Sequence, residues 1–195
     1  MQIDPEARPA LYRLAGLVFV RAFAIYALVN AAALILLGDG LRLLADPQQA
    51  AISLLGWALF AGLLGGLLLH LHLRGLARHR PLITEEALAP VQERVVWAPG
   101  GAGSVRAYLL HILRQLGATI LKDNDPHLLK ARLKGGLFLR ITVTLRLTES
   151  PAQTVVTIRC QPWPAFLRLD QGLSLVAADE LARVVRHVQR TESEE

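Results

Sequence analysis

Gly100, Gly101 and Gly103 follow the short apolar run Val95-Val96-Trp97, and a helical pattern begins at Ser104. Strand, glycine turn and helix together are how many proteins hold a phosphate on backbone N–H groups. Both phosphate motifs nevertheless fail residue by residue. A Walker loop needs a lysine just before its serine or threonine, and none precedes Ser104. A dinucleotide fingerprint opened by Gly101 and Gly103 places its third small residue at position 106, which is Arg106. What stays is a relaxed turn with Ser104 as helix cap. Its free N–H groups and nearby guanidinium make Gly101, Gly103, Ser104 and Arg106 candidate anion contacts.

A denser concentration of charge lies further along. Lys130, Arg132 and Lys134 alternate with Leu129, Ala131 and Leu133. Arg140 and Arg146 occupy the polar phase of "LFLRITVTLRL", and Arg159 that of "TVVTIRCQ". Side chains alternate across a strand, so all six cations fall on one face of a sheet. From Arg106 to Arg168 there are ten Lys and Arg against three Asp and Glu. Such a face suits an acidic protein or an anionic lipid, the latter at about 1 kcal/mol per basic residue near the bilayer. Sheet-face RNA binders stack bases on aromatics. This phase offers only Phe138, which argues against nucleic acid.

No catalytic set assembles. His111, His127 and His187 lie in separate segments. "KDNDPH" gathers Asp123, Asp125 and His127 but lacks the glycine and closing glutamate of a calcium loop, so it reads as a polar β-turn. His70 and His72 project to different helix faces, and the first apolar run has no histidine to oppose them. Cys160 is the single cysteine and sits in a β pattern, where a small buried hydrophobe is expected. No catalytic residue, metal or cofactor is expected.

The elements that carry these residues are strongly partitioned. Residues 14–73 hold four charges, Arg21, Asp39, Arg42 and Asp46. Within them, runs 14–37 and 51–73 are each long enough to cross a bilayer, which takes about 20 helical residues. Gly38, Gly40 and Pro47 mark the turn between, so a helical hairpin is expected. Arg21 lies inside the first run. Its long stem either reaches back to the headgroups or faces a partner helix. Asn30 is placed to bond across helices, and Gly62 with Gly66 has small-xxx-small spacing for helix packing, within the hairpin or with another membrane protein or a second copy. Arg8 and Arg13 precede the spans and Arg74, Arg78 and Arg80 follow them, against Arg42 alone in the loop. Basic residues stay inside, so both termini are expected in the cytoplasm of an inner or plasma membrane.

The predicted organisation is a segment 1–13, the hairpin 14–73, a basic linker 74–90 with Thr84 capping a short helix, a cytoplasmic α+β domain 91–190, and an acidic tail 191–195. Within the domain the periodicities give the order β-α-β-β-β-β-α. Pro162 and Pro164 are expected to end the fifth strand. "AADELARVVRHVQR" is an amphipathic helix with Leu181, Val184, Val185 and Val188 as its buried stripe. Short turns make the sheet mostly antiparallel, and helices on its apolar side make a two-layer sandwich. The functional expectation is a non-catalytic, membrane-anchored accessory or scaffold protein. The alternative is a membrane-surface enzyme or sensor that binds a phosphate-bearing molecule where the glycine turn and "KDNDPH" share a cleft.

Overall fold

The computed structural model describes residues 2–36, 46–134, 140–150, 153–163 and 169–192, with side chains as far as residue 186. The chain divides into two compact units, Met1–Leu88 and Ala89–Glu195.

Two long apolar helices dominate the first unit, α1 (Arg8–Leu36) and α2 (Pro47–His79). Asp46 starts α2 by accepting N–H bonds from Gln48 and Gln49 at 3.0 and 3.2 Å, with Pro47 at the first position. Arg78 and His79 in its last turn suit the negative end of the helix dipole. Residues 37–45, with Gly38, Gly40 and Arg42 of the expected turn, lie outside the described residues. The helices run antiparallel. Gly65 lies against Val18 and Phe19, where an added Cβ would stand 3.5 Å from Val18 Cγ1. Beyond them the rings of Tyr26 and Phe60 stack at 4.4 Å.

This packing shows which contacts the hairpin makes within itself. Gly66 is exposed, and a Cβ there meets nothing within 4 Å. The buried small pair is Ala61 and Gly65, at the same spacing one residue earlier, while Gly62 touches Phe19 only at the margin. "FAGLLGG" offers both phases, and the buried stripe Leu14, Val18 and Ala22 of α1 selects between them. Asn30 does not bond across helices. Its Nδ2 donates to the Tyr26 carbonyl one turn back, at 2.8 Å. Arg21 is half-buried on α1.

The N-terminal segment is structured. Strand β1 (Gln2–Ile3) pairs in parallel with β2 (Leu82–Ile83), and Asp4 N–H donates to the Ile83 carbonyl at 3.0 Å. A 3-10 turn at Pro5–Ala7 leads into α1. Thr84 caps α3 (Glu85–Leu88), accepting the Ala87 N–H at 3.4 Å, and Arg13 pairs with Glu85 at 3.2 Å. Ala7, Leu76 and Ile83 are fully buried at this base. Entry to α1 and exit from α2 are thereby tied at one end.

In the second unit β3 (Gln92–Pro99), α4 (Ala102–Gln115), β4 (Thr119–Asp125), β5 (Leu128–Lys134), β6 (Arg140–Ser150), β7 (Gln153–Trp163) and α5 (Leu173–Glu192) follow the predicted order. The five strands form one antiparallel sheet, β3-β7-β6-β5-β4. Since β3 and β4 are opposite edges, α4 must bridge them. Four antiparallel pairings leave β3 and β4 running in the same direction, so α4 also carries the chain back along the strands before β4 begins. Gly117, at φ +68°, then stops the helix: its N–H and that of Ala118 return to the carbonyls of Arg114 and Leu113.

Leu129, Ala131, Val143, Leu145, Val156, Ile158 and Cys160 form one buried cluster with Val105, Leu109 and Leu113 of α4 and Ala178, Leu181 and Val185 of α5. Helix α5 begins at Leu173, four residues before the predicted start, because Asp170 caps it. Its Oδ1 accepts from Gly172 N–H and its Oδ2 from Ser174 N–H, at 3.1 and 2.7 Å. Val184 is half-buried, and the side chain of Val188 lies outside the described residues. Arg94 Nε anchors α5 to β3 through Asp179 at 2.8 Å. Pro162 does not end β7. It pairs with Ile141 inside the strand, beyond the point where β3 starts at Gln92 opposite Cys160, so β7 is an edge there and loses no ladder bond on that side. Pro164, the Gly135-Gly136 turn, residues 137–139 of the expected strand and the end of the tail lie outside the described residues.

Two outcomes follow from this packing. Gly65→Leu overpacks the helix pair and lowers its stability by about 1–3 kcal/mol, while Gly66→Leu changes it by less than about 0.5 kcal/mol; thermal unfolding in detergent micelles measures both. Burial first, and then the Asp170 carboxylate, push the Cys160 thiol up to about 12, with Arg94 opposing. The unfolded thiol releases its proton near about 8.5. Folding therefore retains a proton that the unfolded chain loses, and stability falls as pH rises above about 9. A maleimide at pH 8 labels Cys160 only after denaturation; rapid labelling of the folded chain would contradict this environment.

Candidate functional site

Register turns the six predicted cations into a surface. On the face opposite the helices, Lys134, Arg140 and Trp163 form one row across β5, β6 and β7. Arg132, Thr142 and Gln161 form the next. Lys122, Lys130, Thr144, Arg159 and Glu93 follow across all five strands. Arg146 lies between Leu128 and Thr157 in the row after that. Lys134, Arg140, Arg146 and Arg159 are exposed, and Lys130 and Arg132 half-buried. Among the described residues none of the six, nor Lys122, forms an ion pair with a carboxylate. Glu93, opposite Arg159, is the acidic side chain these rows set beside the cations, and it forms no ion pair with them. Two like-charge pairs, Lys122 with Lys130 and Lys134 with Arg140, even stand directly opposite each other.

Trp163 gives this face a structured cluster. The Arg132 guanidinium lies 4.6 Å from its ring centroid and that of Arg140 5.7 Å, both within cation–π reach. Arg132 Nε is buried there with no hydrogen-bond acceptor among the described residues. The sequence reading missed Trp163 because it stopped β7 at Pro162. Continuing the alternation from Arg159 through Gln161 reaches it. It missed Lys122 because β4 carries register shifts on either side of that residue. Trp97 also falls on this face, so Phe138, outside the described residues, is not its one aromatic. Trp97 pairs with Val155, eight residues from Trp163 along β7, or about 26 Å at strand rise. Two rings so far apart make no continuous stacking platform.

The glycine turn is engaged by the chain itself. Helix α4 begins at Ala102 with Gly101 as cap residue, two residues before the predicted start, and Ser104 makes no cap bond. The Ala102 N–H donates instead to Glu149 Oε1 at 3.3 Å, so a carboxylate from β6 sits at this helix N-terminus. Gly100, at φ +85°, accepts the Thr154 hydroxyl at 2.8 Å through its carbonyl. Arg106 turns away from Gly101 and Gly103 to donate to the Asp123 carbonyl. In the β4–β5 turn, Asp125 Oδ1 accepts the His127 N–H at 2.9 Å. The two segments touch through Arg106, and Glu149, which meets the Ala102 N–H, also lines a cleft with Asp125 and His127. That cleft, about 390 Å³, is bounded further by Arg146 and Thr148. Another, about 140 Å³, is bounded by Pro99, Ser104, Val105, Tyr108 and Val185.

Comparison of the chain with known protein families, with curated proteins and with solved structures found no match.

Opposed like charges in a sheet destabilise it by about 0.2–1 kcal/mol a pair. Lys122→Thr removes one such pair, and we expect a gain of that size in chemical denaturation. Arg146→Thr, whose cross-strand neighbours are Leu128 and Thr157, gives none. Equal effects of the two substitutions would mean that the cross-strand charges do not interact.

Proposed function

We propose that the chain is a non-catalytic, membrane-anchored accessory protein: α1 and α2 form a transmembrane hairpin, and the second unit, a two-layer α/β sandwich, presents its basic sheet face to an acidic partner. The observation that carries this reading is the outward surface of the two helices. They are 32 and 33 residues long, counting the turn before α1; the most apolar 18-residue stretch of each has mean hydropathy 2.0 and 2.1, and only 11% of that stretch is buried. Leu28, Ile35, Leu55 and Leu63 all point outward. A core helix of a water-soluble protein hides such a surface, and a hairpin in water leaves it wet. Lipid removes the difficulty, because apolar side chains then face apolar solvent.

Direction follows from the base of the unit. Pairing of β1 with β2 puts Arg8 and Arg13 at the same end of the hairpin as Arg74, Arg78 and Arg80. Arg42 stands alone in the connection. That asymmetry favours both termini in the cytoplasm. Exposed Gly16, Gly56 and Gly66 leave a surface open for another membrane helix, from a partner or a second copy. For the basic face, support comes from its uncompensated charge, which attracts an acidic protein or anionic lipid. The rival reading, an enzyme or sensor for a phosphate-bearing molecule at the glycine turn, draws less support. Glu149 already meets the Ala102 N–H, and Arg106 is engaged by the Asp123 carbonyl, so two of the groups an anion would need are taken up within the chain.

The test has two parts. In intact cells, protease added outside leaves the second unit whole, and permeabilising the membrane exposes it; digestion from outside, or release of the chain by alkaline carbonate, overturns the topology. Detergent-solubilised chain is then eluted from a poly-glutamate resin with salt. Arg140→Glu, Arg146→Glu and Arg159→Glu together bring elution to a much lower salt concentration, and unchanged elution removes the basic-face reading.

A further inference from the structure

We infer that the occupant of the basic face is the anionic headgroup layer of a bilayer, seated on Arg132, Arg140, Lys134 and the indole of Trp163. This rests on the reading of the open face as a binding surface and names its partner. Four observations point the same way. First, the row Lys134–Arg140–Trp163 sets two cations and an indole side by side, and Arg132 from the neighbouring row lies over the same ring. An indole seeks a boundary with one apolar and one wet side, which is the headgroup level of a membrane. A guanidinium beside it presents paired N–H donors to phosphate oxygens. Second, Trp163 is 42% exposed although it is a large apolar ring, so the fold leaves it for something outside the sheet.

Third, the chemistry disfavours the other macromolecules. The cores of protein interfaces are depleted of lysine, and this face carries Lys122, Lys130 and Lys134 beside threonines, while its exposed apolar side chains Val95 and Trp97 lie on the edge strand β3. Single-stranded nucleic acid wants successive open aromatic faces. Here the two tryptophans stand about 26 Å apart along β7 and offer no run of successive rings. Headgroups need neither a shaped apolar core nor stacked rings, only a broad positive surface with an interfacial anchor. Fourth, the second unit follows directly from the helical unit in the chain, at residues 88–89. Where α1 and α2 sit in a bilayer, this tether keeps the basic face at high effective concentration near headgroups, so weak individual contacts suffice.

The full chain, with Trp57→Phe and Trp97→Phe so that Trp163 is the one indole, is reconstituted in nanodiscs of phosphatidylcholine alone or with about 30% phosphatidylglycerol. Trp163 emission and iodide quenching are read in both. We expect a blue shift and at least a threefold fall in iodide quenching with phosphatidylglycerol, together with quenching by lipids brominated near the top of their acyl chains. High salt reverses these effects, and so do Arg132→Gln and Arg140→Gln, each charge lost weakening docking by roughly fivefold. Salt reversal needs no substitution, and far-UV circular dichroism confirms that the variants keep their sheet. Soluble glycerophosphate that gives the same protection in phosphatidylcholine discs would overturn docking on a bilayer in favour of a phosphate site. Identical quenching in both discs overturns the lipid inference. In that case soluble poly-glutamate or an oligonucleotide, if either shields Trp163, leaves the basic-face reading standing with a macromolecular partner. If neither shields it, that reading falls as well.

Discussion

A five-stranded sheet has two faces, and the second unit supplies helices for one of them. Every strand residue must point to one side or the other, so strict alternation in β5, β6 and β7 sends Leu, Val and Ile under α4 and α5 and sends Lys, Arg and Thr away from them. A slip of one residue in any of these strands would drive arginines into the apolar layer, so burial on one side holds the register of charge on the other. The basic face is thus a consequence of how the core is made. Few of its charges are balanced locally, and at two places cations oppose each other across strands. The fold tolerates that repulsion because the buried cluster behind it runs from Val96 on one edge strand to Leu129 and Ala131 beside the other.

The helices that cover the apolar side are held at their ends by polar devices from distant parts of the chain. Glu149 meets the start of α4, Arg106 ties its first turns to Asp123 in β4, and Gly117 turns its end into the next strand. Asp170 starts α5, and Arg94 binds Asp179 one and a half turns further on. Together these groups brace the two helices against the sheet, and among them Arg106, a candidate anion contact by sequence, is engaged by the chain itself. Cys160, at the centre of the cluster, stays a protonated thiol for the same reason: the layer around it excludes water.

The first unit solves a different problem. If these helices lie in lipid, as proposed above, burial of apolar area is not what pairs them. Close approach must do it instead, with Ala61 and Gly65 letting α2 lie against Val18 and Phe19, and Tyr26 stacked on Phe60. The base formed by β1, β2 and α3 then locks entry to exit through a few hydrogen bonds. A hairpin secured at one end leaves a wide apolar surface free on the rest of its length.

The sequence by itself determined whatever depends on the direction of neighbouring side chains. Period-2 alternation placed Lys130, Arg132, Lys134, Arg140, Arg146 and Arg159 on one face, and the element order β-α-β-β-β-β-α followed from where each periodicity began and ended. Length and apolar content alone marked out the two long helices. Only the tertiary structure decided which residues far apart in the chain become neighbours. Trp163 meets Arg132 and Arg140, 31 and 23 residues earlier, through strand register that no local pattern encodes. Ala61 and Gly65, rather than the equally spaced Gly62 and Gly66, pack because α1 presents its stripe to that phase. Glu149 takes the N–H expected to be free at the glycine turn because β6 extends three residues past the predicted strand end. The two-residue strands β1 and β2 carry too little pattern to be seen before they pair. Local stereochemistry is written residue by residue, whereas these contacts are chosen by the packing of whole elements.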